Sequence, residues 1–117
     1  MENREGNITE KPWGYFCDIK DENGWHIKTI TVNPKSRLSL QSHNKRREIW
    51  IVIEGDIKTE VDGKTSDHHL GDIITIEVKQ KHRLFSTKGG KIIEVSLGEF
   101  KEDDIIRYQD DYGRTKN

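Results

Sequence analysis

The chain has little of what marks a secreted, membrane-bound or nucleic-acid-binding protein. It carries a single cysteine, Cys17, in 117 residues. One thiol cannot close an internal disulfide, which fits a reducing compartment. Cys17 lies in a mixed apolar and polar run and reads as an inert wall residue. No stretch approaches the roughly 20 apolar residues that span a bilayer, and Met1-Glu2-Asn3-Arg4-Glu5 lacks the apolar core of a secretion signal. A cytoplasmic protein with no membrane partner is expected. Neither charge is in excess: 20 basic and 21 acidic residues leave a net charge of −1. That balance gives no electrostatic case for nucleic acid as a partner. Hydrophobic residues make up 31% and charged residues 35%, so the core must be economical and the surface densely charged. The length suits one domain with one modest core.

What the chain does have is a series of short alternating or β-branched runs between Gly, Asn and Asp turns. Residues 1 to 10 are polar and expected to be flexible, and Lys11-Pro12-Trp13-Gly14 marks the start of order. Tyr15 to Ile19 is one run. Trp25 to Val32 sets Ile27, Thr29 and Thr31 on one face and Ile30 and Val32 on the other. Arg37 to His43 sets Leu38 and Leu40 opposite Ser39, Gln41 and His43. Glu48 to Ile53 is almost all apolar, as in a strand covered on both faces. Asp56 to Val61, Asp62-Gly63 and Lys64 to Leu70 read as a hairpin. Asp72 to Val78, His82 to Ser86 and Lys91 to Leu97 follow. Only Lys101 to Gln109 reads as a short helix, anchored by Ile105 and Ile106. Residues 115 to 117 read as a loose tail. The pattern predicts an all-β barrel or sandwich.

Four polar side chains stand out. Gln41 and His43 are two apart on a strand and share a face. Glu48 opens the next strand after a tight connection, and His82 opens a later one after a turn near Lys79-Gln80-Lys81. Imidazole, carboxylate and amide donors suit one divalent metal such as zinc, iron or manganese. Spacing alone leaves two readings open: one donor set, or unrelated surface and hydrogen-bonded residues. His26, His68 and His69 read as the latter. Adjacent His68 and His69 point to opposite faces and cannot serve one site.

The motif Gln-x-His-x4-Glu-x6-Gly, residues 41 to 55, resembles the first metal motif of the cupin superfamily. With Arg37-Leu38-Ser39-Leu40 before it and Arg46-x-Glu48-x-Trp50-Ile51-Val52 within it, the run resembles the cupin of type II mannose-6-phosphate isomerases. That cupin often forms the C-terminal part of mannose-1-phosphate guanylyltransferase/isomerases. Lys11-Pro12-Trp13-Gly14, Lys81-His82-Arg83-Leu84, Ile92-Ile93-Glu94-Val95, Asp103-Asp104-Ile105-Ile106-Arg107 and Asp110-Asp111-Tyr112-Gly113-Arg114 extend the match over residues 11 to 114. The chain departs from the family at Asn44, Lys45 and Ile49, where the family carries His. It also departs at Glu77-Val78-Lys79, where the family carries Pro-x-Gly.

The resemblance implies a double-stranded β-helix, the cupin jelly-roll barrel, with one divalent ion inside. Zinc is first choice, manganese or iron the alternatives, and the ligands Gln41, His43, Glu48 and His82. It implies a metal-dependent isomerase interconverting mannose 6-phosphate and fructose 6-phosphate. The alternative is a non-catalytic cupin module that binds metal and a sugar or sugar phosphate. An iron dioxygenase is disfavoured, because the Gln41 amide weakens the usual three-imidazole field. No Gly-rich nucleotide loop is present, which argues against guanylyltransferase activity in these residues. Glu94 interrupts an apolar run and is the candidate proton shuttle, since a desolvated carboxyl has a raised pKa. Lys45 and His82 are weaker candidates. Arg46, Arg83, Arg107 and Arg114, with Tyr112, are candidates for holding the phosphate of the substrate. Arg47 reads as a solvated charge, and Trp13 and Trp50 as barrel packing. Open sheet edges predict a homodimer.

Overall fold

In the computed structural model, residues 8–115 are described and form an all-β molecule. The strands are β1 (Ile8–Lys11), β2 (Gly14–Glu22), β3 (Trp25–Val32), β4 (Ser36–Arg37), β5 (Leu40–Ser42) and β6 (Arg46–Gly55). They continue with β7 (Ile57–Val61), β8 (Lys64–His68), β9 (Ile73–Ile76), β10 (His82–Ser86), β11 (Gly90–Gly98) and β12 (Ile106–Gln109). One sheet runs β1-β2-β3-β11-β6-β9; the other runs β12-β5-β10-β7-β8, with β4 added to β10. Neighbours pair antiparallel throughout. This is the jelly-roll barrel expected, and no helix is present among the described residues. None is therefore long and apolar enough to cross a membrane.

Strand alternation decides what enters the barrel. Along β6, Arg46, Glu48, Trp50 and Val52 are buried, while Arg47, Ile49 and Ile51 turn outward. Along β3 the buried row is His26, Lys28, Ile30 and Val32. Along β11 it is Ile92, Glu94 and Ser96. These three strands are register neighbours, with Glu94 between Lys28 on one side and Trp50 on the other. One end of the barrel is thus apolar, built from Val32, Val52, Ile57, Leu84 and Ile92. The other end is polar, because the same inward positions carry His26, Lys28, Arg46, Glu48, Glu94 and Ser96.

Two expectations are corrected and one is extended. Ile8–Lys11, within the stretch expected to be flexible, pairs as a strand with Gly14–Cys17 of β2; residues 1–7 and 116–117 lie outside the described residues. The short helix at Lys101 to Gln109 does not form. Ile106–Gln109 is a strand instead, with Ile106 opposite Ser42 and Arg107 opposite Gln41. Nine residues nucleate a helix poorly, and here β5 offers their backbone groups a ready partner. Trp25 to Val32 does alternate as read, but its inward face includes His26 and Lys28 as well as Ile30 and Val32.

Two backbone positions in the left-handed region stand at opposite ends of the barrel, Gly55 at the apolar end and Lys79 at the polar end. Gly55 sits at φ +72°, and a Cβ there would run into the Gly89 carbonyl. Lys79 stands where the family has glycine, yet keeps the left-handed conformation at φ 67°. Its N–H donates to the His43 carbonyl at 2.7 Å, and Gln80 N–H donates to the Glu77 carbonyl at 3.1 Å. The turn before His82 is therefore made without the glycine. A lysine in this region carries a steric cost that glycine does not. Lys79→Gly is expected to raise stability by roughly 0.5–1 kcal/mol after the entropy gained by the unfolded glycine chain is subtracted. A thermal melt reads this as a rise of a few degrees, and an unchanged or lower midpoint refutes it.

Candidate metal centre and its cleft

Glu48 is 2% exposed and its two oxygens are both engaged. The Trp50 indole N–H donates to Oε1 at 3.0 Å, and Arg46 Nε donates to Oε2 at 3.0 Å. His43 Nε2 lies 3.3 Å from Oε2, and His82 Nε2 lies 3.9 Å from Oε1. One ligand atom from each of His43, Glu48 and His82 falls within 4.8 Å of the others. Each imidazole is aimed from behind. His43 Nδ1 bonds the Asp104 carbonyl at 2.8 Å, and His82 Nδ1 bonds the Gln80 carbonyl at 2.8 Å. A carbonyl only accepts, so Nδ1 carries the proton and Nε2 keeps its lone pair toward Glu48.

The electrostatics agree with this tautomer. Burial pushes His43 down to about 4, with Arg46 adding to the effect against the pull of Glu48. Burial also lowers His82. Both rings are neutral at pH 7. Burial pushes Glu48 up, but His43, His82 and Arg46 outweigh it and hold the carboxyl far below its ordinary value. With the imidazoles neutral, Arg46 is the standing cation that keeps Glu48 ionised. Two imidazole lone pairs and one carboxylate, each oriented by a second partner, form a set that could hold a divalent metal. Gln41 lines the same cavity. Its Nε2 donates to Ser39 Oγ at 2.8 Å, which leaves the amide oxygen as the acceptor.

A cleft leads from this group to the surface. Gln41, His43, Arg46, Glu48, Glu94 and Lys28 line its depth, and Lys11, Glu102, Arg107 and Arg114 line the rest. Glu94 is buried at 4% exposed and faces inward. Burial first, and then the negative charge of Glu48 and a hydrogen bond with it, push the Glu94 carboxyl up to about 7. Lys28 Nζ lies 3.9 Å from Glu94 Oε2. Arg107 and Arg114 are close enough for Arg114 to lower Arg107 after burial has done so. Arg107 Nε is buried without a partner among the described residues, while Arg114 is held by Asp110 at 2.7 and 3.0 Å.

The structure brings Gln41, His43, Arg46, Glu48, His82, Glu94, Arg107 and Arg114 to one cavity system. It leaves three expected site residues out. Lys45 is exposed, 3.9 Å from Glu99, because the Asn44-Lys45 turn is pinned by Asp104 and points away from the barrel. Arg83 is buried but already committed: Nε donates to the Leu38 carbonyl at 2.9 Å, and the other nitrogens reach Gln109. Tyr112 packs against the apolar core and does not line the cleft. Arg46 lines the cleft but is bound to Glu48, His43 Nε2 at 3.3 Å and the Lys101 carbonyl at 3.2 Å. It belongs with the His43, Glu48 and His82 group more than with the mouth. Sequence reading missed Lys28, whose place on the Ile30 and Val32 face was readable from the alternation, and missed the hydrogen bond of Trp50.

Comparison with known proteins fits this geometry. The family model described as "Mannose-6-phosphate isomerase C-terminal" matches residues 2–110. The chain is 40% identical over 110 residues to the alginate biosynthesis protein AlgA of Pseudomonas aeruginosa, covering 90% of this chain and 22% of that protein. It is 36% identical over 118 residues to a mannose-1-phosphate guanylyltransferase of Escherichia coli, covering 97% of this chain and 24% of the relative. Among solved structures it resembles KdgF from Halomonas sp. at a TM-score of 0.78 and 13% identity, covering 86% and 94% of the two chains. It also resembles an RmlC-like cupin from Shewanella frigidimarina at 0.75 and 18%, covering 82% and 86%. These likenesses show the fold. The expectation of a self-contained mannose 6-phosphate/fructose 6-phosphate isomerase, or of a lone binding module, is corrected by the relatives. They are named for guanylyl transfer and polysaccharide biosynthesis, and the chain spans about a quarter of their length. The chain has the cupin fold, and it belongs to the C-terminal family of the mannose-6-phosphate isomerases.

Proposed function

We propose that this chain is the metal-holding cupin unit of a mannose-phosphate enzyme, working in concert with a guanylyltransferase activity carried by other residues. Its own chemistry is acid–base proton transfer, of the aldose–ketose type, on a phosphorylated sugar. The observation that carries the reading is the Glu94 carboxyl, raised toward neutrality beside the Glu48 carboxylate of the donor set. A proton shuttle works best with a pKa near the working pH.

Zinc suits two imidazoles, a carboxylate and an amide oxygen. His43, His82, Glu48 and Gln41 would hold it. When bound, such an ion supplies Lewis-acid polarisation of a carbonyl or hydroxyl oxygen. The chain's own residues supply the rest. Arg107 and Arg114, both lining the cleft, suit a phosphoryl group, and the unpartnered Arg107 Nε is a donor awaiting an acceptor. Glu94, between rim and metal group, takes or gives a proton at carbon. Trp50 and Leu38 close the inner end against water.

The test measures exchange of the C2 hydrogen of mannose 6-phosphate in D2O by proton NMR, with zinc-loaded protein and with or without a separate mannose-1-phosphate guanylyltransferase. Exchange is expected with zinc and none after chelation. Binding of metal and sugar phosphate without exchange in either condition refutes the proton-transfer role. Glu94→Gln is expected to slow exchange by about 10²–10⁴-fold while the zinc content, read by elemental analysis, stays at the native level. Equal exchange in the two proteins removes Glu94 from the reaction.

The titrations also oppose one another in a measurable way. His43 has a folded pKa of about 4, below its unfolded value of 6.5, so the unfolded chain takes protons first as pH falls from 6.5 to 4. That destabilises the metal-free fold by roughly 2–3 kcal/mol over the window. Glu94 has a folded pKa of about 7, above its unfolded 4.5, so the folded chain takes the extra proton over nearly the same range and offsets the loss. In the presence of chelator, the fall in melting temperature between pH 6.5 and 4.5 is expected to be larger in Glu94→Gln than in the native protein. An equal or smaller fall contradicts the assignment.

A further inference from the structure

Lys28 is 7% exposed, on the inner face of β3 between His26 and Ile30. A buried ammonium is costly unless hydrogen-bonded or closely paired. Lys28 has neither at full strength. Among the described residues Nζ makes no hydrogen bond, and its nearest carboxylate oxygen, on Glu94, stands 3.9 Å away, beyond hydrogen-bond reach. What holds it is aromatic: Nζ sits 4.3 Å from the Phe16 ring centroid and 5.4 Å from that of Phe100. Cation–π contact supports the charge from behind but leaves its donor hydrogens unused. Those hydrogens belong to a side chain that lines the cleft beside Glu94 and the metal group.

The charges argue the same way. The polar end of the barrel buries the carboxyls of Glu48 and Glu94 with the cations of Arg46 and Lys28. Arg46 spends its donors on Glu48, His43 and the Lys101 carbonyl. Lys28 is the buried cation with donors to spare, and it stands inward of the Arg107 and Arg114 pair suited to a phosphoryl group.

We propose that Lys28 is a substrate-binding residue, donating to a hydroxyl or carbonyl oxygen at the reacting end of a phosphorylated sugar, next to Glu94. This rests on the sugar-phosphate reading of the cleft. It assigns the sugar end to Lys28 and the phosphate end to the arginines, so the two ends respond separately to substitution.

Isothermal titration of zinc-loaded protein with mannose 6-phosphate and, separately, with inorganic phosphate tests it. Lys28→Met keeps the length of the side chain and its fit between Phe16 and Phe100. It is expected to weaken mannose 6-phosphate at least tenfold, with inorganic phosphate and zinc affinities within twofold of native. Lys28→Arg keeps the charge but misplaces the donors, and is expected to weaken mannose 6-phosphate severalfold; it carries the test if Lys28→Met does not melt cooperatively. Native affinity for mannose 6-phosphate in a folded variant overturns the proposal, as does an equal loss of both ligands, which marks Lys28 as a structural counter-ion. If the native protein binds inorganic phosphate but not mannose 6-phosphate, the sugar-phosphate reading itself falls, and the role of Lys28 with it.

Discussion

A dehydrated carboxylate governs this molecule. Glu48 lies on β6, between β11 and the edge strand β9, 2% exposed, and charge buried so deeply must be compensated on every side. Arg46 supplies the cation from two residues earlier on the same strand, and Trp50 supplies a donor from two residues later. His43 arrives from the loop after β5 and His82 from the start of β10. Compensation by residues from three places in the chain forces the two sheets into one arrangement at this end. The barrel's polar half is organised around that need and its apolar half around ordinary close packing.

The same carboxylate sets the character of its neighbours. Its charge, added to burial, keeps the Glu94 proton in place near neutrality. Burial, aided by the charge of Arg46, outweighs the pull of Glu48 and lowers both imidazoles, which stay neutral at pH 7. Three different protonation behaviours thus meet in one cavity system, with no residue of unusual type. The inward register of β6 and β11 sets the two carboxyls on one face.

Much of this was legible beforehand. Period-two alternation identified most strands, the Asp62-Gly63 hairpin and the inward face of Gln41 and His43. The donor set was legible because its spacing matches a family motif, and Glu94 because a carboxylate in an apolar run is conspicuous. The failures have physical causes. Lys101 to Gln109 carries an isoleucine pair compatible with helix, but strand pairing to β5 is a long-range contact that no local window contains. Arg83 reads as a phosphate ligand because it falls on a family-matching position and its planar fork suits phosphate. That its fork is spent on Leu38 and Gln109 depends on packing alone. Lys45 was displaced by the orientation of one tight turn. Lys28 was passed over because lysine on a strand normally marks the wet face, and here the wet-looking residue is inside.

The hydrogen bond from His43 Nδ1 to the Asp104 carbonyl joins the metal group to the last stretch of the chain. That stretch also clamps the Asn44-Lys45 turn through the Asp104 carboxylate and carries Arg107 and Arg114. Floor and rim of the cavity consequently share a single tether. Peeling residues 104–114 away from β5 and the turn beside it would undo the aim of one imidazole and remove both guanidinium groups in the same motion, so the donor set and the cationic rim stand or fall as one.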